Sequence, residues 1–225
     1  EMQRSLVGSE MCIRDRFSVD EWGVWAVPSN TVNAEIDQKP WGIAPAISEQ
    51  IYTLEDALLF AGMQMVILRN ADVIKIACQS LLTNISACIM TEKNGEYWLQ
   101  TIYYPFHYFA TYAKGTVLKT ASMGPCYSCA EFDGVPYVDS LVVWNEEDQE
   151  LVIFAVNRSE EELQKAEVDL QDFEIQHVIE SICMTAENKK MTNMEQHDAV
   201  IPKKEKNVEI ETGRCQITLK PLSFN

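Results

Sequence analysis

The pattern of hydrophobic and polar positions predicts one clear helix near the start of the chain, over residues 53–71. Apolar side chains recur there every three or four positions, as they do on the buried face of a helix. These are Leu54, Leu58, Ala61, Met65 and Leu68. Thr53 followed by Asp56 resembles a capping box, which favours a helix start at this point.

Two short β-prone runs flank this helix and complete a first unit. The earlier run is Phe17–Trp25, which breaks at Gly23, and the later run covers residues 73–78. Strand, helix and strand in this order predict a βαβ unit with parallel strands. A second, aromatic-rich helix is predicted over residues 98–113, with a kink near Pro105. Packing against a second domain is the simplest account of its aromatic side chains.

From Gly115 onward, short strands separated by turn-like clusters replace the helical pattern. The strands are predicted over residues 116–118, 141–144, 151–156, 167–170, 176–179, 208–211 and 216–219. The clearest turns are residues 145–148 and 212–214. This punctuation is typical of an antiparallel β-sandwich. The predicted fold class is therefore α/β followed by all-β, with a domain boundary near residues 113–115.

Composition excludes some classes of function. A net charge of −16 argues against nucleic-acid binding, which needs basic surfaces. No stretch approaches the roughly 20 apolar residues of a membrane span. The seven cysteines are odd in number and mostly lie within apolar segments, which favours reduced thiols over a disulfide framework. We therefore expect a cytoplasmic protein that acts on a neutral substrate.

Residues 1–16 fit poorly with the rest of the chain. They show neither helical nor strand periodicity, and they lack the apolar core of a signal peptide. Residues 5–16 resemble a translated sequencing-adaptor read-through. We therefore expect native sequence to begin near Phe17, with the upstream part missing.

The pair Asp20-Glu21 is the main candidate for chemistry, because it places acids between aromatic residues at a strand end. Burying a carboxylate is costly unless it is paired or used. One interpretation is a strand end whose acids point into water. The other is a catalytic carboxylate at the rim of a barrel strand, with tryptophan walls for a sugar ring. The long polar loop over residues 26–48 suits the second, because such loops often cover a site.

Other chemical signals are weaker. Cys126 and Cys129 form a single CxxC motif without a second pair at zinc-site spacing, so a metal or redox role is disfavoured. His107, His177 and His197 are scattered along the chain and are best explained as structural or surface residues. We expect neither a metal nor a cofactor.

Seven sequence blocks, in order from residue 17 to the end, resemble the family 51 glycoside hydrolases, the α-L-arabinofuranosidases. The blocks are FSVDEWGVW, YTLEDAL, LRNAD, YPF, VPY, FAVNR and the terminal LSFN. The resemblance implies that residues 17–113 form the last two βα units of a (β/α)8 TIM barrel. It also implies that residues 114–225 form a jelly-roll-like β-sandwich.

The resemblance further implies an activity and a setting. The reaction is the retaining hydrolysis of terminal non-reducing α-L-arabinofuranosyl residues from arabinose-containing oligosaccharides or polysaccharides, within L-arabinose metabolism. No cofactor is implied. Members of the family often form hexamers, so a homo-oligomer is expected.

The resemblance assigns roles to two residues and leaves one role unfilled. Glu21 matches the family's nucleophile at the end of the seventh barrel strand, and Trp25 matches an aromatic residue that lines the sugar subsite. The proton donor of the family follows an Asn at the end of the fourth strand, upstream of this chain. Asn145-Glu146 is the one Asn-Glu pair here, and it lies in a predicted acidic turn. The chain alone is therefore expected to be inactive or nearly so.

Two positions depart from the family pattern. A family Gln that contacts sugar and nucleophile falls on Leu81, and family enzymes usually carry Asn where Gly23 stands. Gln79 has the same strand parity as Leu81, so we hypothesise that it substitutes for the family Gln.

Two other functions remain as alternatives. A standalone carbohydrate-binding or interaction module could be built on the sandwich, although such a module would have no use for part of a barrel. Glu21 alone also leaves open a barrel hydrolase with a different glycan specificity.

Overall fold

The computed structural model describes residues 16–25, 49–170 and 173–225. The suspected non-native segment up to residue 15 and the polar loop over residues 26–48 lie outside them. In chain order the first elements are β1 (Phe17–Trp22), α1 (Leu54–Arg69), β2 (Ile74–Gln79), β3 (Leu81–Thr83), β4 (Ala87–Thr91), β5 (Tyr97–Leu99) and α2 (Tyr103–Tyr112). Neither helix in these ranges is both long and apolar enough to span a membrane.

Strand β1, helix α1 and strand β2 form the predicted βαβ unit. The two strands pair in parallel, with Phe17 opposite Ile74 and Trp22 opposite Gln79. Helix α1 packs against them, and the rings of Trp22 and Phe60 lie 4.6 Å apart. Within the described residues this sheet has two strands, so each strand has one edge without a strand partner. Phe17 and Ile76 on these strands are 66% and 56% exposed.

Helix α1 begins as the sequence predicts. The hydroxyl oxygen of Thr53 accepts a hydrogen bond from the backbone N–H of Asp56, and the carboxylate of Asp56 accepts one from the backbone N–H of Thr53. This reciprocal pair satisfies donors that the first turn leaves free.

The helix predicted over residues 98–113 was wrong in its first part. Residues 97–99 form β5, which pairs with β4 in an antiparallel hairpin, and α2 starts only at Tyr103. Pro105 therefore lies in the first helical turn, where its missing N–H costs no intrahelical bond, so it does not require a kink. Strands β3, β4 and β5 together form a small sheet beyond the end of β2.

In the remainder of the described chain all regular elements are strands, joined by turns and irregular segments. The elements are β6 (Thr116–Leu118), β7 (Cys126–Tyr127), β8 (Val135–Pro136), β9 (Val138–Asn145), β10 (Glu150–Asn157), β11 (Gln164–Asp169), β12 (Ile182–Cys183), β13 (Lys203–Lys204), β14 (Val208–Glu211), β15 (Arg214–Leu219) and β16 (Ser223–Phe224). Two larger antiparallel sheets result, ordered β16-β10-β9-β6 and β11-β15-β14. The predicted strand over residues 176–179 does not form. Val178 and Ile179 are exposed there and pair with no other strand of the described chain.

Strand β10 is buried on both faces and therefore connects two layers. Phe154 and Val156 pack toward the helices, and the ring of Phe154 stacks on Phe109 at 4.2 Å. Ala155 faces the other way and joins Ile217 and Leu219 in a second core between the two sheets. Burial on both sides explains why residues 151–156 are an unbroken apolar run rather than an alternating one.

An ion-pair cluster ties the first unit to the strand-rich part. The carboxylate of Asp139 in β9 accepts from Arg69 of α1 at 2.5 Å and from Arg158 at 2.8 Å. Arg69 also donates to the backbone oxygen of Ser140. One carboxylate thus holds the end of α1 against the four-stranded sheet.

Candidate active site

Glu21 lies at the carboxyl end of β1, beside the carboxyl end of β2, because the two strands run parallel. The pairing shifts register between Val19 and Trp22, so that Asp20 and Glu21 together lie opposite Cys78. This is a β-bulge, a feature that redirects side chains and is common beside active sites. The side chain of Glu21 is exposed at this rim.

Ser80 makes two contacts with the end of β1, and sequence analysis missed it. Its hydroxyl donates to Oε1 of Glu21 at 2.5 Å, and its backbone N–H donates to the carbonyl oxygen of Trp22 at 3.2 Å. The position of Ser80 directly after β2 could have indicated this contact, because parallel strands end at the same edge of a sheet and Glu21 is at the end of β1.

The two tryptophans next to Glu21 have different surroundings. Trp22 is buried against α1, whereas Trp25 is 49% exposed. The indole of Trp25 lies over Gly23, where an added Cβ would stand 3.6 Å from its ring. That is an ordinary van der Waals separation, so a Cβ at position 23 would fit. Of these two tryptophans, Trp25 is the one with an exposed ring.

Gln79 is near this rim, but its amide is directed elsewhere. Its Nε2 donates to the carbonyl oxygen of Ser86 at 2.8 Å, and its Oε1 lies 3.7 Å from the sulfur of Cys88. Leu81, the position on which the sequence resemblance places the family Gln, is 46% exposed. The first two residues after the β2 pairing therefore differ in character, with a hydroxyl at Ser80 and an apolar side chain at Leu81.

A buried hydrogen-bond network holds the backbone that follows the carboxyl end of β1. The hydroxyl of Tyr52 donates to the carbonyl oxygen of Val24 at 2.9 Å, and burial raises the pKa of Tyr52 to about 12. The amide of Gln100 accepts from the backbone N–H of Tyr52 and donates to the carbonyl oxygens of Gln50 and Ala87. Gln100 falls within the helix predicted over residues 98–113, whereas in the structure it lies between β5 and α2.

The Asn145-Glu146 pair lies in a turn between two strands. Asn145 ends β9, and its Oδ1 accepts from the backbone N–H groups of Glu147 and Asp148. This confirms the predicted turn of the β9–β10 hairpin, far in sequence from the β1 rim.

The cysteine and histidine candidates do not converge on one another. Cys126 and Cys129 are free and exposed, His107 stacks on Tyr103, and His197 stacks on Trp98. The part of the chain that the structure describes contains no group of three or more His, Cys, Asp or Glu side chains placed to hold a metal ion.

Comparison with known proteins gives consistent results along most of the chain. The family model described as the α-L-arabinofuranosidase C-terminal domain matches residues 20–223. An intracellular exo-α-(1→5)-L-arabinofuranosidase of Halalkalibacterium halodurans is 42% identical over 209 residues, which is 93% of this chain and 41% of the relative. One of Bacillus subtilis is 39% identical with the same coverage. The chain thus spans about two fifths of the length of these curated relatives.

Solved structures give the same family. A family 51 α-L-arabinofuranosidase from Bifidobacterium longum superposes with a TM-score of 0.77 at 28% identity, over 93% of this chain and 40% of that one. An arabinofuranosidase from Xanthomonas axonopodis pv. citri, at 22% identity and a TM-score of 0.80, shares the fold over 96% of this chain and 41% of its own. The chain belongs to the family of α-L-arabinofuranosidase C-terminal domains.

Proposed function

We propose that this chain is the carboxyl-terminal part of a retaining α-L-arabinofuranosidase, with Glu21 as its nucleophile. The observation that carries the proposal is the exposed carboxylate of Glu21 on a bulge at the carboxyl end of a parallel strand, followed four residues later by the exposed ring of Trp25. Catalytic groups of (β/α)8 enzymes lie at this end of their strands. An apolar indole face beside a carboxylate suits the C–H face of a furanose.

In this proposal residues 17–113 supply the last two βα units of a TIM barrel and residues 114–225 supply a jelly-roll-like sandwich. The parallel pairing of β1 with β2 and the intervening α1 support the first assignment. The two antiparallel sheets with a shared core support the second.

The proposed chemistry needs a second carboxyl group from outside the chain. One Glu21 oxygen attacks the anomeric carbon as the glycosidic bond breaks, and a carboxylic acid about 5–5.5 Å away protonates the leaving oxygen. That group, now a carboxylate, removes a proton from water, whose oxygen bonds to the anomeric carbon as the bond to Glu21 breaks and Glu21 returns to its carboxylate form. Because this acid is expected upstream, residues 17–225 alone should not turn over substrate.

Substrate, location and assembly follow the relatives. We infer terminal α-L-arabinofuranosyl groups on arabinose-containing oligosaccharides, a cytoplasmic location and a homo-oligomer. The names of the Halalkalibacterium and Bacillus relatives, intracellular exo-α-(1→5)-L-arabinofuranosidases, support the first two.

A chimera tests the proposal. The upstream segment of the Halalkalibacterium halodurans relative is joined to residues 17–225, and hydrolysis of 4-nitrophenyl α-L-arabinofuranoside is followed. The chimera should be active, and Glu21→Gln should abolish turnover. In Glu21→Ala, added azide should restore turnover and give the arabinosyl azide of inverted configuration, because azide then takes the place of the nucleophile.

The matched control is Asp20→Asn, the neighbouring acid on the same bulge, whose Oδ1 accepts from the hydroxyl of Ser18. It should retain most of the activity. An active Glu21→Gln chimera would contradict the proposal. A chain that binds arabinan oligosaccharides tightly without the upstream segment would favour a binding module instead.

The same chimera tests the role hypothesised for Gln79. Because its amide already bonds to Ser86, we restrict that role to a contact with sugar rather than with Glu21. Gln79→Ala should lower kcat/KM, and an unchanged kcat/KM would remove Gln79 from the site.

A further inference from the structure

We propose that Ser80 is a positioning residue whose hydroxyl holds one carboxylate oxygen of Glu21 while the other bonds to the sugar and is then released from it. The inference rests on the proposed function of Glu21. Its basis is the 2.5 Å hydrogen bond from the Ser80 hydroxyl to Oε1 of Glu21. A bond from a neutral hydroxyl to a carboxylate is charge-assisted and stronger than one between neutral groups.

The backbone makes this contact specific. The backbone N–H of Ser80 donates to the carbonyl oxygen of Trp22, so the main chain of Ser80 is fixed against the residue that follows Glu21. The β-bulge places the extra residue of β1 directly before this anchor. A single rotatable bond separates the serine hydroxyl oxygen from the fixed main chain, so it has few rotamers to search and can hold the Glu21 side chain in one orientation.

The neighbours of Ser80 cannot take this role as they are placed. The amide of Gln79 is engaged with Ser86, and Leu81 has no polar group. On β1, the hydroxyl of Ser18 donates to Asp20 rather than to Glu21.

The hydrogen bond from Ser80 to Glu21 has different effects on the two steps of the reaction. When Oε2 has bonded to the sugar, Oε1 becomes the carbonyl oxygen of the ester and still accepts from Ser80. As the ester breaks, negative charge returns to the carboxylate and this hydrogen bond strengthens. Ser80 therefore assists departure of the sugar more than its arrival, because charge leaves the carboxylate in the first step.

The test uses the active chimera with 4-nitrophenyl α-L-arabinofuranoside, whose good leaving group makes the second step limiting. Ser80→Ala should lower kcat by about 10-fold or more, the size expected for one charge-assisted hydrogen bond. KM should fall with it, so that kcat/KM changes by less than about 3-fold. A burst of 4-nitrophenol should appear, and mass spectrometry should show the arabinosyl ester on Glu21.

Three further variants complete the design. Ser80→Thr keeps the hydroxyl and should restore kcat, whereas Ser80→Cys nearly preserves size with a weak donor and should behave like Ser80→Ala. The cysteine variant gives the answer if the alanine variant does not fold. Ser18→Ala removes the comparable Ser-to-acid bond at Asp20 and should leave kcat unchanged.

Each outcome has a defined meaning. If Glu21→Gln abolishes activity but Ser80→Ala equals the parent chimera, the inference about Ser80 is wrong and the proposed function stands. A fall in kcat/KM that matches the fall in kcat, or an equal effect of Ser18→Ala, would indicate general damage and would also overturn it. If Glu21→Gln remains active, the proposed function itself fails.

Discussion

At the scale of single residues, Tyr52 shows how a side chain outside the reaction can fix the site. Its ring is buried, and its hydroxyl donates to the backbone of Val24, three residues after Glu21. Its backbone N–H is in turn held by Gln100. Segments that are far apart in sequence thereby share one buried polar network, which specifies the position of the rim.

The raised pKa of Tyr52 predicts a loss of stability at alkaline pH. Below pH 10 both the folded and the unfolded chain keep the phenol proton. Between the ordinary tyrosine pKa of 10.0 and the raised pKa of about 12, the unfolded chain loses its proton first, so the free energy of unfolding falls as pH rises. Urea unfolding at a series of pH values should show this slope, and Tyr52→Phe should make it shallower.

Tyr104 provides the matched comparison, because burial raises the pKa of its phenol to about 12 as well. Tyr104→Phe should reduce the alkaline slope to a similar extent without removing the bond to Val24. An alkaline slope that is the same in Tyr52→Phe and in the unmodified chain would contradict the prediction.

The sequence predicted some residues of the candidate site but not others. Glu21 and Trp25 stand out because a strand that ends in acids and tryptophans is unusual, and the resemblance named them. Ser80 and Gln100 did not stand out, because a single Ser or Gln carries no local signal. Their importance comes from partners such as Glu21 and Tyr52, which only strand pairing and chain folding bring close.

At the scale of elements, the start of α1 depends on both local and distant groups. Thr53 and Asp56 form the capping box, while the backbone N–H groups of Leu54 and Glu55 donate to the carbonyl oxygens of Met191 and Lys189. The first turn therefore has its free donors satisfied by its own residues and by the segment before β13.

Thr53→Ala should lower the free energy of unfolding by about 1 kcal/mol, the usual cost of losing a helix cap. Urea unfolding measures the change. Thr53→Ser, which keeps the accepting hydroxyl, should recover most of it. Thr120→Ala, at an exposed position, serves as the control and should have little effect. Equal values for Thr53→Ala and Thr120→Ala would show that the distant carbonyls alone fix the helix start.

The elements that sequence analysis misplaced have physical explanations. The aromatic run from residue 98 lacks a strict period, so the end of the β4–β5 hairpin was merged with α2. Residues 176–179 are β-prone, but a strand needs a neighbour, and β11 pairs with β15 instead. Helix α1 and strand β10 were predicted well, because their burial imposes a strong pattern on their own residues.

At the scale of the whole molecule, Asp139 is the point at which α1 and the four-stranded sheet are joined by charge. Its side chain is 18% exposed and shared by Arg69 and Arg158. Asp139→Ala leaves two arginines without their common partner. Because the group is partly buried, the loss in free energy of unfolding should be about 2 kcal/mol, between the values for exposed and buried pairs.

The control for Asp139 is Glu167, whose pair with Arg214 connects two strands of one sheet and is about 60% exposed. Glu167→Ala should cost less than about 0.5 kcal/mol. A double-mutant cycle between Asp139→Ala and Arg69→Ala should give a coupling energy clearly above zero. Independent effects of the two substitutions would mean that the contact does not join the two parts energetically.

Within the described residues, the β1–β2 pair has edges without a strand partner, and this has a consequence for the chain in a cell. Exposed strand edges and apolar side chains such as Phe17 and Ile76 are the features that chaperones and proteases engage. If no other strand pairs with these edges, the amount of the chain in the cell would be limited by its degradation rather than by its synthesis. Pairing of β1 and β2 with adjacent strands would then protect the chain, so that the fully paired protein would escape degradation.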